Sequence, residues 1–545
     1  MRKDRICNIK GEASMKKNDF ITLEIEDIGV GGEGIGKAEG MTFFVKDAIV
    51  EDVIEARITK LKKSYGYARL MKVLKPSGKR KEPKCLVARQ CGGCQVQEID
   101  YSEQLKFKER KVRNNLERIG GFDRAFLGRV MEPICGMEEP FHYRNKAQYP
   151  IGTDREGYPV AGFYAGRTHQ IIPNMVCALG KEINTQVLEV VLDFMREFQI
   201  PAYSEETGRG LLRHVLIRTG FHTGEIMVCL IVNGTQIPHA EELTGRLRKL
   251  PGMTSITMNI NCENTNVIMG KEIRLLWGKE YITDYIGEIK YQISPLSFYQ
   301  VNPVQTEVLY KKAIEAAGFT GKEHVIDAYC GIGTIGMIAS DHVASVVGVE
   351  LNRDAVRDAI GNAKANGIKN VRFVCDDAGK FMVKLAAAAQ KDADIKVPDV
   401  VLMDPPRSGS DEAFLKSLVK MGPETVVYVS CNPVTLERDV KWLEKNGYKA
   451  KGVWPVDMFP FTVHVETVCL LSRKAPDAVI KVNLDMSELD VTSAESKATY
   501  KEIAEFVKNK YGLNVSNLYI AQVKQEFGII ERINYNVGEG KARVP

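Results

Sequence analysis

The sequence predicts a multidomain α/β protein: an N-terminal β-barrel, a mixed α/β central domain, a C-terminal Rossmann-like, doubly wound α/β domain and a small helical tail. Three observations carry this reading. At 545 residues the chain is longer than one hydrophobic core can organise. Residues 19–76 alternate β-branched and aromatic residues between glycine turns, the pattern of short strands that close on themselves. From about residue 294, apolar runs alternate with helical stretches, the pattern of a sheet covered on both faces. The divisions expected are a basic tail (1–16), the barrel (17–78), a cysteine-bearing loop (79–99), a basic helix with the central domain (100–290), the doubly wound domain (291–475) and the extension (476–545).

The run ITLEIEDIGVGGEGIG and its continuation through residue 74 suit a five-strand barrel. Its glycine-rich first hairpin and the stretch Lys62, Lys63, Tyr65, Tyr67, Arg69 resemble the TRAM domain, an oligonucleotide-type barrel, and that resemblance implies RNA binding. The net charge of +5 is too small to identify a nucleic-acid binder. Lysine and arginine do concentrate in 57–84 and 106–118, which reads either as phosphate contacts or as solvated faces. The chain lacks an apolar run of about 18 residues and a secretory start, so a soluble cytoplasmic protein without a membrane or obligate protein partner is expected, with Met15 as an alternative first residue.

Of the twelve cysteines, Cys85, Cys91 and Cys94 are clustered (CLVARQCGGC), and glycines let that loop wrap closely. A fourth ligand must come from elsewhere, and Cys177 in IIPNMVCALG is the candidate because its segment reads as a turn. Four thiolates suit tetrahedral zinc or an iron–sulfur cluster, and spacing leaves both open. DYSEQLKFKERKVRNNLERIG (100–120) reads as a basic amphipathic helix. Short strands dominate 130–285, with one helix near 181–198. The tail reads as two helices within 498–528, a winged-helix-like module without evident chemistry.

In the doubly wound region, strands are expected at 324–329, 346–350, 371–378, 399–406, 425–431 and 464–473. DAYCGIGTIG follows the first, and Glu350 ends the next, nineteen residues after Gly331. Glycines allow close approach of a ligand, and an acid at that position accepts hydrogen bonds from ribose hydroxyls. Asp404 in DPPRSG, Cys431 in SCNP, and His464 and Glu466 in FPFTVHVE fall just beyond strand ends, where such sheets put their ligands. An activated thiol facing a carboxylate suits methylation of a uracil ring. C5 of uracil is a poor nucleophile until a thiolate adds at C6, and a base must afterwards remove the C5 proton. Cys431 is read as that thiol and Glu466 as that base, while Cys330, Cys375 and Cys469 are assigned to packing.

SFYQVNP (297–303), DAYCGIGT (327–334), VGVE (347–350), DPPRSG (404–409), SCNP (430–433) and FPFTVHVE (459–466) resemble, in order, the motif series of the RNA uracil-5-methyltransferases. The resemblance implies that Gln300, Tyr329, Glu350 and Asp404 contact S-adenosylmethionine, with Cys431 as nucleophile, Glu466 as base, and Phe298 and Asn302 shaping the pocket. The rRNA-directed branch joins a TRAM barrel to a 4Fe-4S cluster on this cysteine pattern. The resemblance therefore implies such a cluster on Cys85, Cys91, Cys94 and Cys177, with zinc the alternative, and a uridine of 23S rRNA as target. Some relatives with this architecture act on tRNA. An amino-group methyltransferase would carry an aromatic where Arg407 stands. A radical methylthiotransferase would need Cys-x3-Cys-x2-Cys where this chain has x5, and a non-catalytic RNA-binding protein would not need both Cys431 and Glu466.

Overall fold

The computed structural model describes residues 15–392, 394–474 and 500–511. Strands β1 (Phe20–Ile28), β2 (Gly34–Ala38), β3 (Met41–Lys46), β4 (Val53–Leu61) and β5 (Tyr65–Lys75) close into a barrel in the order β1-β2-β3-β5-β4. Alternation decides which side chains go inside. Leu23, Ile25, Phe43, Val45, Ile54, Ala56, Ile58 and Ala68 fill the interior. Gly66 is required there, since a Cβ would lie 2.5 Å from the Phe43 ring. Phe44, Tyr65 and Tyr67 form a patch on the outside, with neighbouring ring centroids 5.7–5.8 Å apart.

After the cysteine loop, Asp100 caps helix α1 (Tyr101–Asn115) by accepting the Ser102 N–H at 3.0 Å. The helix runs into a π-helical turn, Leu116–Gly120, stopped by left-handed Gly121, and a short α2 (Arg124–Val130) follows. The central domain is a seven-stranded sheet. Its strands are β6 (Lys146–Thr153), β7 (Pro159–Tyr164), β8 (Ile171–Pro173), β9 (Leu212–Thr219), β10 (Ile226–Val232), β11 (Met253–Ile260) and β12 (Glu272–Gly278), in the order β12-β11-β10-β9-β6-β7-β8. Helices α3 (Ile183–Glu197) and α4 (Ala240–Leu247) supply Val187, Leu188, Val191, Leu243 and Leu247 to its core. The single helix expected from sequence is α3; α4 carries only two buried leucines and gave little period to read.

A hairpin, β13 (Ile282–Ile286) and β14 (Ile289–Ile293), leads to α5 (Pro303–Ala317) and then to the second seven-stranded sheet. Its strands are β15 (His324–Ala328), β16 (Ser345–Glu350), β17 (Val371–Cys375), β18 (Val400–Met403), β19 (Thr425–Ser430), β20 (Tyr448–Val456) and β21 (Glu466–Arg473). Helices α6 (Thr334–Ala339), α7 (Arg353–Ala365), α8 (Ala378–Ala389), α9 (Glu412–Met421) and α10 (Pro433–Lys445) connect them. The order is β17-β16-β15-β18-β19-β21-β20, so the winding reverses between β15 and β18, which opens a crevice at their carboxyl ends. The sheet is not wholly parallel as expected: β21 runs antiparallel between β19 and β20. β20 was not expected either, because the lysines of YKAKGVWPV break its apolar run. Helix α11 (Tyr500–Tyr511) belongs to a separate unit, residues 475–545, and the second expected tail helix lies outside the described residues. No described helix is long and apolar enough to cross a membrane.

Candidate active site

The crevice is built from strand ends. Tyr329 and Gly331 follow β15 in the left-handed region (φ 65° and 56°), and Gly333 (φ 80°) opens α6. At Gly333 a Cβ would meet the Phe373 ring at 2.6 Å, so only glycine turns the chain there. At the end of β16, Glu350 accepts the N–H groups of Gly331 (3.1 Å) and Asn352 (2.8 Å), which fixes its carboxylate over the glycine turn. Glu350, Gly331 and the exposed Phe298 line one cavity, with Ser297, Asn352 and Asp358 among the other walls. Ser297, Asn352 and Asp358 were not read from sequence. Asn352 had a detectable signal, since it caps α7 two residues after Glu350.

Gln300 is buried, with its backbone carbonyl accepting the Asn145 side-chain amide at 3.0 Å. The Tyr329 ring packs on Phe414, with centroids 5.6 Å apart, and its hydroxyl reaches Ser410 at 3.4 Å. Asn302, expected in the pocket wall, is instead a fully buried cap of α5 whose amide donates to Met458 O at 2.9 Å. Its place in the sequence motif reflects helix initiation at Pro303.

Cys431, Glu466 and Asp404 converge at the other side of the crevice. β19 and β21 pair antiparallel, with Ser430 opposite Thr467. Continuing that register by one residue sets Cys431 opposite Glu466, at the short range of cross-strand neighbours. Asp404 leaves β18, the other neighbour of β19, and its N–H donates to Ala328 O at 3.3 Å. Asn432 caps α10 and donates to Arg407 O at 2.9 Å, so the SCNP turn and the DPPRSG loop hold each other. His464 is exposed, whereas Glu466 is buried.

Burial and neighbouring carboxyls raise the proton affinity of this group of side chains. Burial, then Glu466 and Asp404, push the Cys431 thiol up to about 11. Burial and Asp404 push Glu466 up to about 8, opposed by Arg407. Burial pushes Asp404, partly accessible at its strand end, up to about 7. Acids crowded in a poorly hydrated cleft, with an exposed arginine as the nearby cation, make a site whose charge is completed by a positively charged ligand.

The cysteine centre lies elsewhere. Cys85 and Cys91 are buried, and Cys94 and Cys177 pack with Tyr143, Leu179 and Phe461. Burial pushes the Cys85, Cys91 and Cys94 thiols up, with the neighbouring cysteines adding to the rise. Gln97 donates toward Cys94 Sγ at 3.6 Å and Asn174 toward Cys85 Sγ at 3.8 Å. Among the described residues, no three His, Cys, Asp or Glu side chains stand at metal-holding distances. Of the cysteines assigned to packing, Cys330 and Cys469 are buried but Cys375 is exposed, because β17 is the edge strand.

Residues 139–474 match the tRNA (Uracil-5-)-methyltransferase family, and residues 16–71 match the TRAM domain. An uncharacterized RNA methyltransferase of Halalkalibacterium halodurans is 46% identical over 466 residues, covering 85% of this chain and 99% of that protein. One from Clostridium tetani is 43% identical, covering 85% and 98%. Among solved structures, the tRNA (uracil-54, C5)-methyltransferase of Pyrococcus abyssi, in complex with S-adenosyl-L-homocysteine, superposes with a TM-score of 0.67 at 27% identity, covering 83% of this chain and 99% of that one. With its strand-end thiol facing a buried carboxylate and its N-terminal barrel, the chain belongs to the tRNA (uracil-5-)-methyltransferase family of RNA methyltransferases, in a TRAM-bearing form.

Proposed function

We propose that the protein transfers a methyl group from S-adenosylmethionine to C5 of a uridine in 23S rRNA through a covalent adduct with Cys431. The observation that carries this reading is the β19–β21 register, which sets the Cys431 thiol opposite the Glu466 carboxyl beside Asp404. S-adenosylmethionine, when bound, supplies an electrophilic methyl carbon on a positive sulfur and departs as a neutral thioether. Glu350, Gln300, Tyr329 and Asp404 are the residues that would hold it. The acid-rich crevice and the ribose-suited carboxylate of Glu350 fit such a cation.

Cys431 releases its proton to solvent and its sulfur bonds to C6, which moves the C5–C6 electron pair onto C5 and the O4 carbonyl. C5 takes the methyl group. Glu466, ionised, then removes the C5 proton, the C6–S bond breaks, and the Cys431 thiolate is regenerated. The raised values mean that the free protein keeps Cys431 and most of Glu466 protonated at neutral pH, so ionisation of both accompanies binding of a positively charged partner in the crevice. Reaching C6 requires a nucleotide swung out of its stack.

The TRAM barrel beside a four-cysteine centre supports large-subunit rRNA as substrate. The likeness to the tRNA (uracil-54, C5)-methyltransferase supports tRNA as the second reading. Cys85, Cys91, Cys94 and Cys177 are the proposed ligands of a 4Fe-4S cluster; their thiols are the donor chemistry such a cluster takes, and the resemblance of the cysteine pattern to the rRNA-directed branch supports the reading. Iron and acid-labile sulfide in anaerobically purified protein test this; zinc without either would overturn it.

The test of the reaction uses rRNA and tRNA transcripts containing 5-fluorouridine, with S-adenosylmethionine and either wild-type protein or Cys431→Ala. Fluorine cannot leave C5 as a proton, so the methylated adduct stalls as a denaturation-resistant band. A band with rRNA that is lost in the variant is the expected result. A band with tRNA alone would reassign the substrate, and no band with either would overturn the covalent mechanism.

A further inference from the structure

The basic helix α1 faces inward at the positions where an RNA-binding helix would face outward. Lys108 is fully buried and pairs with Asp457, also fully buried, while its ammonium donates to Phe459 O at 2.9 Å. One turn before it, the Gln104 side chain accepts the Phe461 N–H at 3.1 Å. One turn after it, Lys111 donates to Val463 O at 2.8 Å. Tyr101 donates to the second Asp457 oxygen at 2.9 Å and accepts the Met137 N–H at 2.9 Å. These four residues repeat every three to four positions, so they form one stripe of the helix.

All four grip one segment. Residues 457–465 return the chain from β20 to β21, and Glu466 is the first residue of β21. The segment includes Phe461 in the left-handed region (φ 66°), stacked on Phe141 with centroids 4.4 Å apart. The cysteine loop holds the same residue, with the N–H groups of Gln95 and Val96 donating to Phe461 O at 3.1 and 3.2 Å. A nine-residue return that includes a non-glycine residue at positive φ has many other conformations open to it, and its own hydrogen bonds are few. Its shape is imposed from outside: α1 holds it along one side, while Asn302, Gln305 of α5, Tyr143 and the cysteine loop hold its backbone carbonyls.

We propose that α1 is the strut that positions the catalytic base, with Lys108 and Tyr101 as positioning residues that set Glu466 against C5 of the bound uridine. The inference rests on the reading of Glu466 as base. Lys108 touches neither RNA nor methyl donor; it sets where the return ends. Buried ion pairs are costly to assemble, and a well-packed apolar pair in their place is often neutral or stabilising. The directional bonds to Asp457 and Phe459 O, rather than stability, are what the apolar pair would lose.

The experiment compares wild-type protein with Lys108→Met/Asp457→Leu, an apolar pair that strands no charge, on two transcripts of the preferred RNA. The 5-fluorouridine transcript reports adduct formation, which does not use the base. The transcript carrying tritium at uridine C5 reports proton removal. The double variant is expected to form adduct at a rate close to wild type, with KM for RNA unchanged, while tritium release slows by roughly ten- to a hundredfold. Tyr101→Phe, which removes one hydroxyl and no charge, should move the ratio of release to adduct formation the same way by a smaller factor. This second variant serves also if the first fails to fold. Unchanged release in Tyr101→Phe and in the folded double variant would overturn the proposal. So would a raised KM with normal release per adduct, which would make α1 an RNA-gripping helix. A wild-type protein that forms no adduct would instead overturn the covalent reading, so the two failures are distinguishable.

Discussion

The barrel and helix α1 carry the same sequence signal, lysines and arginines interleaved with apolar residues, yet the fold uses them in opposite ways. On the barrel, Lys62, Lys63, Tyr67 and Arg69 are exposed around the Phe44–Tyr65–Tyr67 patch. On α1, Lys106 and Arg110 are exposed, but Lys108 is buried and Lys111 is spent on a backbone carbonyl. The difference follows from period. In a closed barrel every second residue faces out, and the outside of this one retains its charges. A helix packed between domains has covered faces on more than one side, so charge density along the chain no longer predicts surface.

The sharpest way to probe the covered side is a buried charge without a partner. Glu437 of α10 lies against the π-turn that ends α1: a Cβ on Gly120 would come 3.9 Å from Glu437 Cγ. Neither carboxyl oxygen has a hydrogen-bond partner, and burial pushes the group up to about 9 from 4.5. With the folded-state value above the unfolded one, the folded protein binds the extra proton across that window. Stability from this group is therefore full below about 4.5 and is lost as pH rises through about 9. Glu437→Gln should flatten that loss and leave the variant more stable at pH 9 by a few kcal/mol, since a tenfold change in proton affinity is worth about 1.4 kcal/mol. Thermal melts of both proteins between pH 5 and pH 9 check this. Parallel curves would mean that Glu437 acquires a counter-charge in solution.

The same contrast explains how much was legible in the sequence. Strand ends and glycine turns are local devices, so Cys431, Glu466, Glu350 and Gly331 could be assigned from short motifs, and the fold brings Cys431 to Glu466 and Glu350 to Gly331. The cysteine ligand set was read for three members from spacing and for Cys177 from its turn-forming context, and among the described residues no three of these side chains stand at metal-holding distances. What could not be read were long-range partnerships. Lys108 and Asp457 are 349 positions apart, and nothing local distinguishes Lys108 from Lys106 two residues earlier. Asn302 misled for a related reason: a residue beside a pocket motif was a helix cap, because Pro303 needs one. β20 was missed where lysines interrupt the apolar pattern on its outer face.

The exposed side of the comparison is tested by Tyr67→Ala. Tyr67 is 39% exposed, at the centre of the patch, paired in register with Phe44 across β3 and β5. Its ring packs no core, so the barrel should melt as before; surface changes usually stay within about 0.5 kcal/mol. If the patch is a stacking platform for an unpaired base, binding of single-stranded RNA should weaken by about 1–3 kcal/mol, roughly 5- to 150-fold. The neighbouring Lys62→Ala, a phosphate contact at most, should act differently: a smaller loss, and a salt dependence shallower by about 0.7 in the logarithmic slope. Titrating both variants with a fluorescent oligoribonucleotide at several salt concentrations separates stacking from charge. Equal losses with equal salt slopes would mean that the ring contributes only by holding the lysine loop, and that the patch does not stack on RNA.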